Sequence, residues 1–451
     1  MQTHSLRPYQ VDSVEQLRQH FRNGSKRPLL VAPTGSGKTT VANYIIEGAV
    51  AKGGRAVFLA ARRELVHQAS ARLSTRHGVI LSGNRRVDQE APVQVASVQT
   101  LLNRDLPWEP TLIILDEAHH STARTHQELL QRYPDTPVIG LSATPVRTTG
   151  LGLADYFTSM VQSIGISSLI QQGYLVPVRH LRPPERGKSL YADPVEMWLR
   201  HAADRPTMAF ASNVQESIAL VERFNHRGIP ALHIDANTPD EIRDTVSQQM
   251  ESGAIKVVSG YAVYVEGVDI PCLSCVILDR KTSSLPVYLQ AIGRGLRAYP
   301  GKENCQIHDH GGNVYEHGRA DCDRTWVLTH GKDVLVGATT PDVADNYRVC
   351  PICYTVADAP QTHCTCGYKF SVKRKKTYKH QAGTLELHHD DGRITVIPED
   401  KRRKEYERFL WQQRNGKKKD GSPLSPRYAS FRFFQQYGVW PPKEWAAKAL
   451  P

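Results

Sequence analysis

The run Ala32-Pro33-Thr34-Gly35-Ser36-Gly37-Lys38-Thr39 carries the clearest chemistry in the chain. Its glycines let consecutive backbone N–H groups wrap a polyphosphate. Lys38 can neutralise the β/γ oxygens, and Thr39 can ligate Mg²⁺. Pro33, Thr34, Gly35, Ser36, Gly37, Lys38, Thr39 and Thr40 are therefore expected to hold ATP with its Mg²⁺. Ala32 stands where the usual pattern opens with glycine. A second cluster, Asp116-Glu117-Ala118-His119-His120, follows the apolar run Leu112–Leu115. Asp116 is expected to hold Mg²⁺, directly or through water, and Glu117 to orient and deprotonate an attacking water. His119 can relay from there to Ser142-Ala143-Thr144. Phosphoryl transfer also needs positive charge around the γ-phosphoryl.

A separate signal is Cys350-Pro351-Ile352-Cys353 followed by Cys364-Thr365-Cys366-Gly367. Two close pairs of thiolates suit a tetrahedral structural Zn²⁺, with Gly367 supplying a turn. His363 is a possible substitute ligand. Cys272 and Cys275 share the two-residue spacing but flank a strand, and the spacing there reads as buried core.

The elements that must position these residues are legible as alternation. Leu29–Ala32, Ala56–Ala60, Val93–Ala96, Leu112–Asp116 and Val138–Ser142 read as strands, with helical stretches such as Thr39–Ala51 and Arg63–Ser74 between them. A second series has strands at Thr207–Phe210, Ala231–Ile234, Lys256–Ser259, Cys275–Asp279 and Cys305–Asp309. Such alternation predicts parallel sheets covered by helices. The two α/β lobes meet through residues 146–206, rich in Gly and Pro. The tail reads as a hairpin over Thr384–Pro398 with Asp391-Gly392 at its turn, then helices near 400–414 and 427–436 around the loop Lys417–Pro426.

With these motifs in order over about 300 residues, the chain resembles superfamily 2 helicases of the DEAH-lettered type. The resemblance implies two RecA-like parallel-sheet lobes with ATP in the cleft, and nucleic acid as partner. Arg7 and Gln10 of RPYQ look like its adenine-reading element. Phe58–Gln68 and Val95–Leu101 look like strand-contacting motifs, Ser142–Thr144 like the coupling motif, and Phe210–Ser217 like a further nucleic-acid motif. Glu266-Gly267-Val268-Asp269 resembles the ATP-proximal motif, adding Gly267 and Asp269 to the nucleotide set. Gln290 through Arg297 resembles the arginine-finger motif, adding Gln290; the resemblance implies that Arg294 and Arg297, three apart and expected at a helix start, present two guanidinium groups on one face to the γ-phosphoryl. Within the superfamily, SLRPYQ and LPVYLQAIGRGLRAYPGKENCQIHDHGGN resemble RadD-type bacterial DNA repair helicases over roughly residues 1–370. Val265 departs from that pattern, which usually has a hydroxyl residue before or at the Glu266 position.

The implied order is lobe one over 1–175, lobe two over 176–340, a zinc ribbon over 345–372 and a basic, partly helical region over 373–451. Net charge is +12 at pH 7 over 451 residues. Residues 373–451 hold 19 Lys and Arg against 9 Asp and Glu, and 11 of the 34 aromatics. That balance fits phosphate neutralisation with base stacking, or docking of a protein partner. For each tail aromatic taken alone, core packing is the first expectation. No window holds 18 consecutive apolar residues, so no membrane span is expected. The first ten residues lack the apolar core of a signal peptide, and a cytosolic setting with reduced cysteines follows. The expected function is an ATP-dependent DNA helicase or translocase in replication, recombination or repair. The alternatives are an RNA-directed helicase, or the motor subunit of a restriction, defence or replication-initiation complex. A binding protein with a vestigial motor is disfavoured, because Lys38, Asp116, Glu117 and both arginines are present.

Overall fold

The computed structural model describes residues 6–83, 88–120, 124–147, 149–182, 192–235, 237–261, 270–332, 334, 347–358, 361–370, 386–388, 394–396, 398–417, 422–437, 440–442 and 444–445. Its first sheet collects β1 (Pro28–Val31), β2 (Ala56–Ala60), β3 (His77–Ile80), β4 (Val93–Ser97), β5 (Leu112–Leu115), β6 (Val138–Ser142) and β7 (Ser159–Gln162). The order is β3-β4-β2-β5-β6-β1-β7, and every pairing is parallel. Parallel strands need helices on both faces, so the central strands are mostly apolar on both. Leu30, Phe58, Val95, Ile114 and Leu141 point into one layer, and Leu29, Val57, Leu59, Ile113 and Val138 into the other. A fully buried side chain of this kind contributes about 1.5–3 kcal/mol.

The second sheet joins β8 (Val178–Leu181), β9 (Thr207–Ala211), β10 (Ala231–Ile234), β11 (Val257–Gly260), β12 (Cys275–Asp279) and β13 (Cys305–Asp309). Its order is β10-β11-β9-β12-β13-β8, again parallel throughout. These are the two expected RecA-like lobes.

Two expectations are corrected by the chain's path. Residues 146–206 are more than a connector, since β7 closes one sheet and β8 the other. The stretch assigned to lobe two also returns to lobe one near its end. Trp326, Leu328 and Val334 pack into the lobe-one core, and Gly152 N–H donates to the Gly331 carbonyl at 2.8 Å.

The cysteine-rich element forms a short antiparallel pair, β14 (Tyr347–Val349) with β15 (Val356–Asp358). It docks on edge strand β8, where Arg182 N–H donates to the Tyr354 carbonyl at 3.2 Å. Residues 372–451 form a separate unit. Within it β16 (Glu386–His388) pairs antiparallel with β17 (Ile394–Val396), as the hairpin reading expects. The Asp391-Gly392 turn lies outside the described residues. Helices Glu399–Asn415 and Tyr428–Tyr437 follow. They enclose a small core of Tyr406, Phe409, Ala429, Phe433 and Trp445.

Candidate nucleotide site and cysteine cluster

Strand β1 ends where the sheet order turns back, so the loop after it opens at the C-terminal edge of the sheet, the usual ligand edge. Ala32 N–H continues the ladder to the Ser142 carbonyl at 3.0 Å, so the alanine serves as a last strand residue. Gly35 and Gly37 take φ of 86° and 84°. A Cβ on Gly37 would lie 2.5 Å from Gln10 Nε2, and one on Gly35 would lie 2.8 Å from Leu175 Cδ2. Both positions therefore exclude side chains twice over, by conformation and by space. The helix Lys38–Val50 starts directly after Gly37, aiming its free N–H groups and positive dipole end at the loop.

The first helix, Pro8–Arg22, braces this loop. Gln10 Oε1 accepts from Arg7 N–H at 2.9 Å, capping the helix, while its Nε2 donates to the Ser36 carbonyl at 3.0 Å. Tyr9 Oη donates to the same carbonyl at 2.7 Å. The Arg7 guanidinium lies 4.1 Å from the Tyr174 ring centroid. Tyr9 and Tyr174 were not singled out from the sequence. Tyr9 sits between Arg7 and Gln10 on one helical turn, which was the available signal.

Lys38 Nζ donates to the carbonyls of Ala32 at 3.0 Å and Pro33 at 3.4 Å. Burial lowers its pKa, and Glu117 and Asp116 work against that. Burial, then the Glu117 carboxylate, raises Asp116 to about 7. Glu117 itself has φ of 47°, a strained conformation for a residue with a side chain. Its Oε2, Ser36 Oγ and Thr144 Oγ1 are buried and have no hydrogen-bond partner among the described residues. These unsatisfied groups lie on the loop, on the carboxylate pair and on the Ser142–Thr144 segment. A polyphosphate with its Mg²⁺ is a group they fit.

His119 connects the lobes. Its Nδ1 lies 3.4 Å from Glu117 Oε2 and 3.3 Å from Ser142 Oγ. Ser142 Oγ donates to the Thr144 carbonyl at 2.6 Å, so it accepts from His119. Gln290 Nε2 lies 3.1 Å from His119 Nε2, completing a buried line from lobe one to lobe two. Gln290, grouped with the nucleotide residues from sequence, thus faces the histidine.

Arg294 and Arg297 lie at a helix end, contrary to the expected helix start. Helix Leu285–Gly293 passes into a tight turn over Arg294–Leu296, and Arg297 is extended. Their backbone packs on the phosphate loop: a Cβ on Gly293 would lie 2.6 Å from Thr34 Cβ. Arg297 Cγ lies 3.5 Å from the position a Gly35 Cβ would take. Burial, then Arg72, lowers Arg297 to about 10. Lys302, also missed from sequence, donates to the Arg297 carbonyl at 2.7 Å. Val265, Glu266, Gly267 and Asp269 lie outside the described residues.

The four cysteines Cys350, Cys353, Cys364 and Cys366 converge, with all four Sγ atoms within 4.8 Å of one another. Cys350–Cys366 and Cys353–Cys364 are 3.5 Å apart. A tetrahedron with Zn–S of about 2.3 Å has edges near that spacing, so the donor set fits Zn²⁺. Gly367, with φ of 90°, makes the turn. His363 is exposed, with Nδ1 3.0 Å from Thr362 Oγ1, and stands outside the cluster. Cys272 and Cys275 are buried in lobe two, as the core reading expects.

Two parallel-sheet lobes, with a glycine-rich loop and carboxylate pair on one facing an arginine motif on the other, define a two-lobed nucleoside triphosphatase. Residues 3–147 match the family described as "Type III restriction enzyme, res subunit", and residues 192–299 match "Helicase conserved C-terminal domain". A 51.5 kDa protein of Lactococcus phage (isolate 7-9) is 31% identical over 385 residues, 80% of this chain and 82% of that protein. The putative mitochondrial ATP-dependent helicase irc3 of Schizosaccharomyces pombe is 28% identical over 383 residues, 76% of this chain and 61% of that protein. The chain thus spans about three fifths of the yeast protein. The structure of the ATP-dependent Type ISP restriction-modification enzyme LlaBIII bound to DNA shares the fold, with TM-score 0.54 and 18% identity over 67% of this chain and 27% of that one. The chain belongs to the superfamily 2 helicases, and it is an ATP-hydrolysing helicase. Among the described residues, no helix is long and apolar enough to cross a membrane.

Proposed function

We propose that the chain couples ATP hydrolysis to movement along, or remodelling of, DNA in replication, recombination or repair. The observation that carries this reading is the buried line Ser142–His119–Gln290. It ties the carboxylate pair of lobe one to the arginine motif of lobe two, so a change at the nucleotide is felt across the cleft. In this reading Gln10 and Arg7 address the base, and residues 33–40 with Lys38 hold the phosphates. Gly267 and Asp269 complete the site from lobe two. Mg²⁺ on Thr39 and Asp116 supplies charge neutralisation at the phosphates. Glu117 takes the proton of the attacking water, and Arg294 and Arg297 stabilise charge on the transferring phosphoryl group. Closure of the lobes brings the arginines in, which links turnover to motion.

DNA is favoured over RNA by the DNA-bound state of the LlaBIII structure and by the resemblance to RadD-type repair helicases. The proposed divisions are lobes at 1–175 and 176–340, the second returning to pack on the first near Trp326–Val334, a Zn²⁺ ribbon at 345–372 held by Cys350, Cys353, Cys364 and Cys366, and a nucleic-acid-binding tail from 373. The test is the ATPase rate without nucleic acid and with single-stranded DNA, forked DNA and RNA in parallel. Stimulation by DNA above RNA is expected. Equal rates in all four, or stimulation by RNA alone, would reject the DNA reading.

A further inference from the structure

The helical pair of the tail sorts its aromatic rings into two sets. Tyr406, Phe409, Phe433 and Trp445 fill the core, with Tyr406–Phe433 at 75° and Phe433–Trp445 at 88°, the edge-on packing usual in interiors. Phe431, Phe434 and Trp440 are 52%, 37% and 60% exposed and belong to no core, and Trp411 on the preceding helix is 65% exposed. Phe431 and Phe434 are three apart on helix Tyr428–Tyr437 and so share a face. The Trp440 indole lies almost parallel to the Phe434 ring, at 21° and 4.7 Å between centroids. Trp440 is held there from its far side. Pro441 and Pro442 restrict the chain, Trp445 N–H donates to the Pro442 carbonyl at 3.1 Å, and the Trp445 ring is buried. A rigid, flat, solvent-facing stack is therefore built at the cost of leaving three large rings in water.

The surroundings are cationic. Residues 398–445 hold 12 Lys and Arg against 6 Asp and Glu, and the helix 428–437 carries Arg432 and no carboxylate. Flat rings beside cations match a ligand with flat faces and negative charges at regular spacing. In duplex the bases cover one another, so only an unpaired strand offers its faces. An apolar protein segment would gain nothing from the excess of cations in this stretch of sequence.

We infer that Phe431, Phe434 and Trp440 form a stacking platform for unpaired bases of single-stranded nucleic acid. This rests on the reading of the tail as a nucleic-acid grip and names its ligand. The test uses the full chain without nucleotide, titrated into fluorescein-labelled oligo-dT and into a blunt duplex of equal length, at several salt concentrations. Trp440→Ala and Phe434→Ala should each weaken oligo-dT binding about tenfold and leave the duplex within about twofold. The salt slope should not move, because no charge is removed. Trp440→Phe should restore most of the loss, since it keeps a ring. Unchanged oligo-dT affinity in both alanine variants overturns the platform and hands the face to a protein partner. Equal losses on duplex and oligo-dT also overturn it. If deletion of 373–451 weakens binding while these variants do not, the platform alone has failed. If the deletion too has no effect, the reading of the tail as a grip has failed with it.

Discussion

At the residue scale, the site concentrates charge in a buried setting and leaves some of it unanswered. Glu117 stands on a strained backbone, with its buried Oε2 3.4 Å from His119 Nδ1. Such strain is kept only where surrounding structure fixes it. Glu117→Gln should preserve nucleotide binding and stop hydrolysis. Near-normal turnover in that variant would remove Glu117 as the base. Gln290→Ala separates coupling from chemistry. It deletes the donor to His119 Nε2 and leaves every group of lobe one in place. An orphaned buried acceptor costs about 1–3 kcal/mol. The nucleic-acid stimulation of the ATPase should therefore fall about tenfold or more, with basal turnover much less affected. A loss confined to basal turnover would instead place Gln290 on the nucleotide. Much of this site was legible from residue types alone, because phosphate, metal and proton chemistry each demand particular side chains. Gln290's partner was not, since a glutamine has no chemistry of its own and acquires a role only from what the fold sets opposite it. Tyr9 and Lys302 act through backbone carbonyls of Ser36 and Arg297. No sequence pattern reports such contacts.

At the element scale, the strands of the two lobe sheets missed from sequence are β3, β7 and β8, and all three are edge strands. Central strands must be apolar on both faces, whereas an edge strand is only partly covered and tolerates polar residues. β7 reads Ser-Met-Val-Gln and β8 reads Val-Arg-His-Leu, so neither shows an apolar run. β8 even buries His180 3.6 Å from Asp309 of β13. The same strand receives the cysteine element, which is the second place where an element depends on something besides apolar burial. Its core is small, Cys350, Cys353, Cys364, Ala357 and Phe370, so a metal on the four thiolates would add directly to its folding. Protein purified without chelator should carry about one Zn²⁺ per chain. Cys353→Ser should lose it, and Cys272→Ser should keep it. Elemental analysis finding no zinc in the unaltered protein would reject the ribbon.

At the scale of the whole molecule, charge is distributed against function in a useful way. The chain carries +12, while residues 373–451 alone carry an excess of 10. The lobes are therefore nearly neutral and the grip they exert on a strand must come from a few placed groups. In the proposed function such a grip would change through the ATP cycle as the lobes open and close. A separate cationic unit would then hold the track while the lobes release it. This division predicts a specific salt behaviour. Each neutralised phosphate adds roughly 0.7–0.9 to the slope of log K against log salt. Residues 372–451 form a unit of their own. Removing 373–451 should accordingly flatten the slope and weaken DNA binding at low salt. At saturating DNA the ATPase should persist, because the nucleotide site and both arginines remain. A truncated protein that retains affinity and slope would show the lobes to be the whole grip. One that loses its DNA-stimulated ATPase even at saturating DNA would show the tail to be part of the motor.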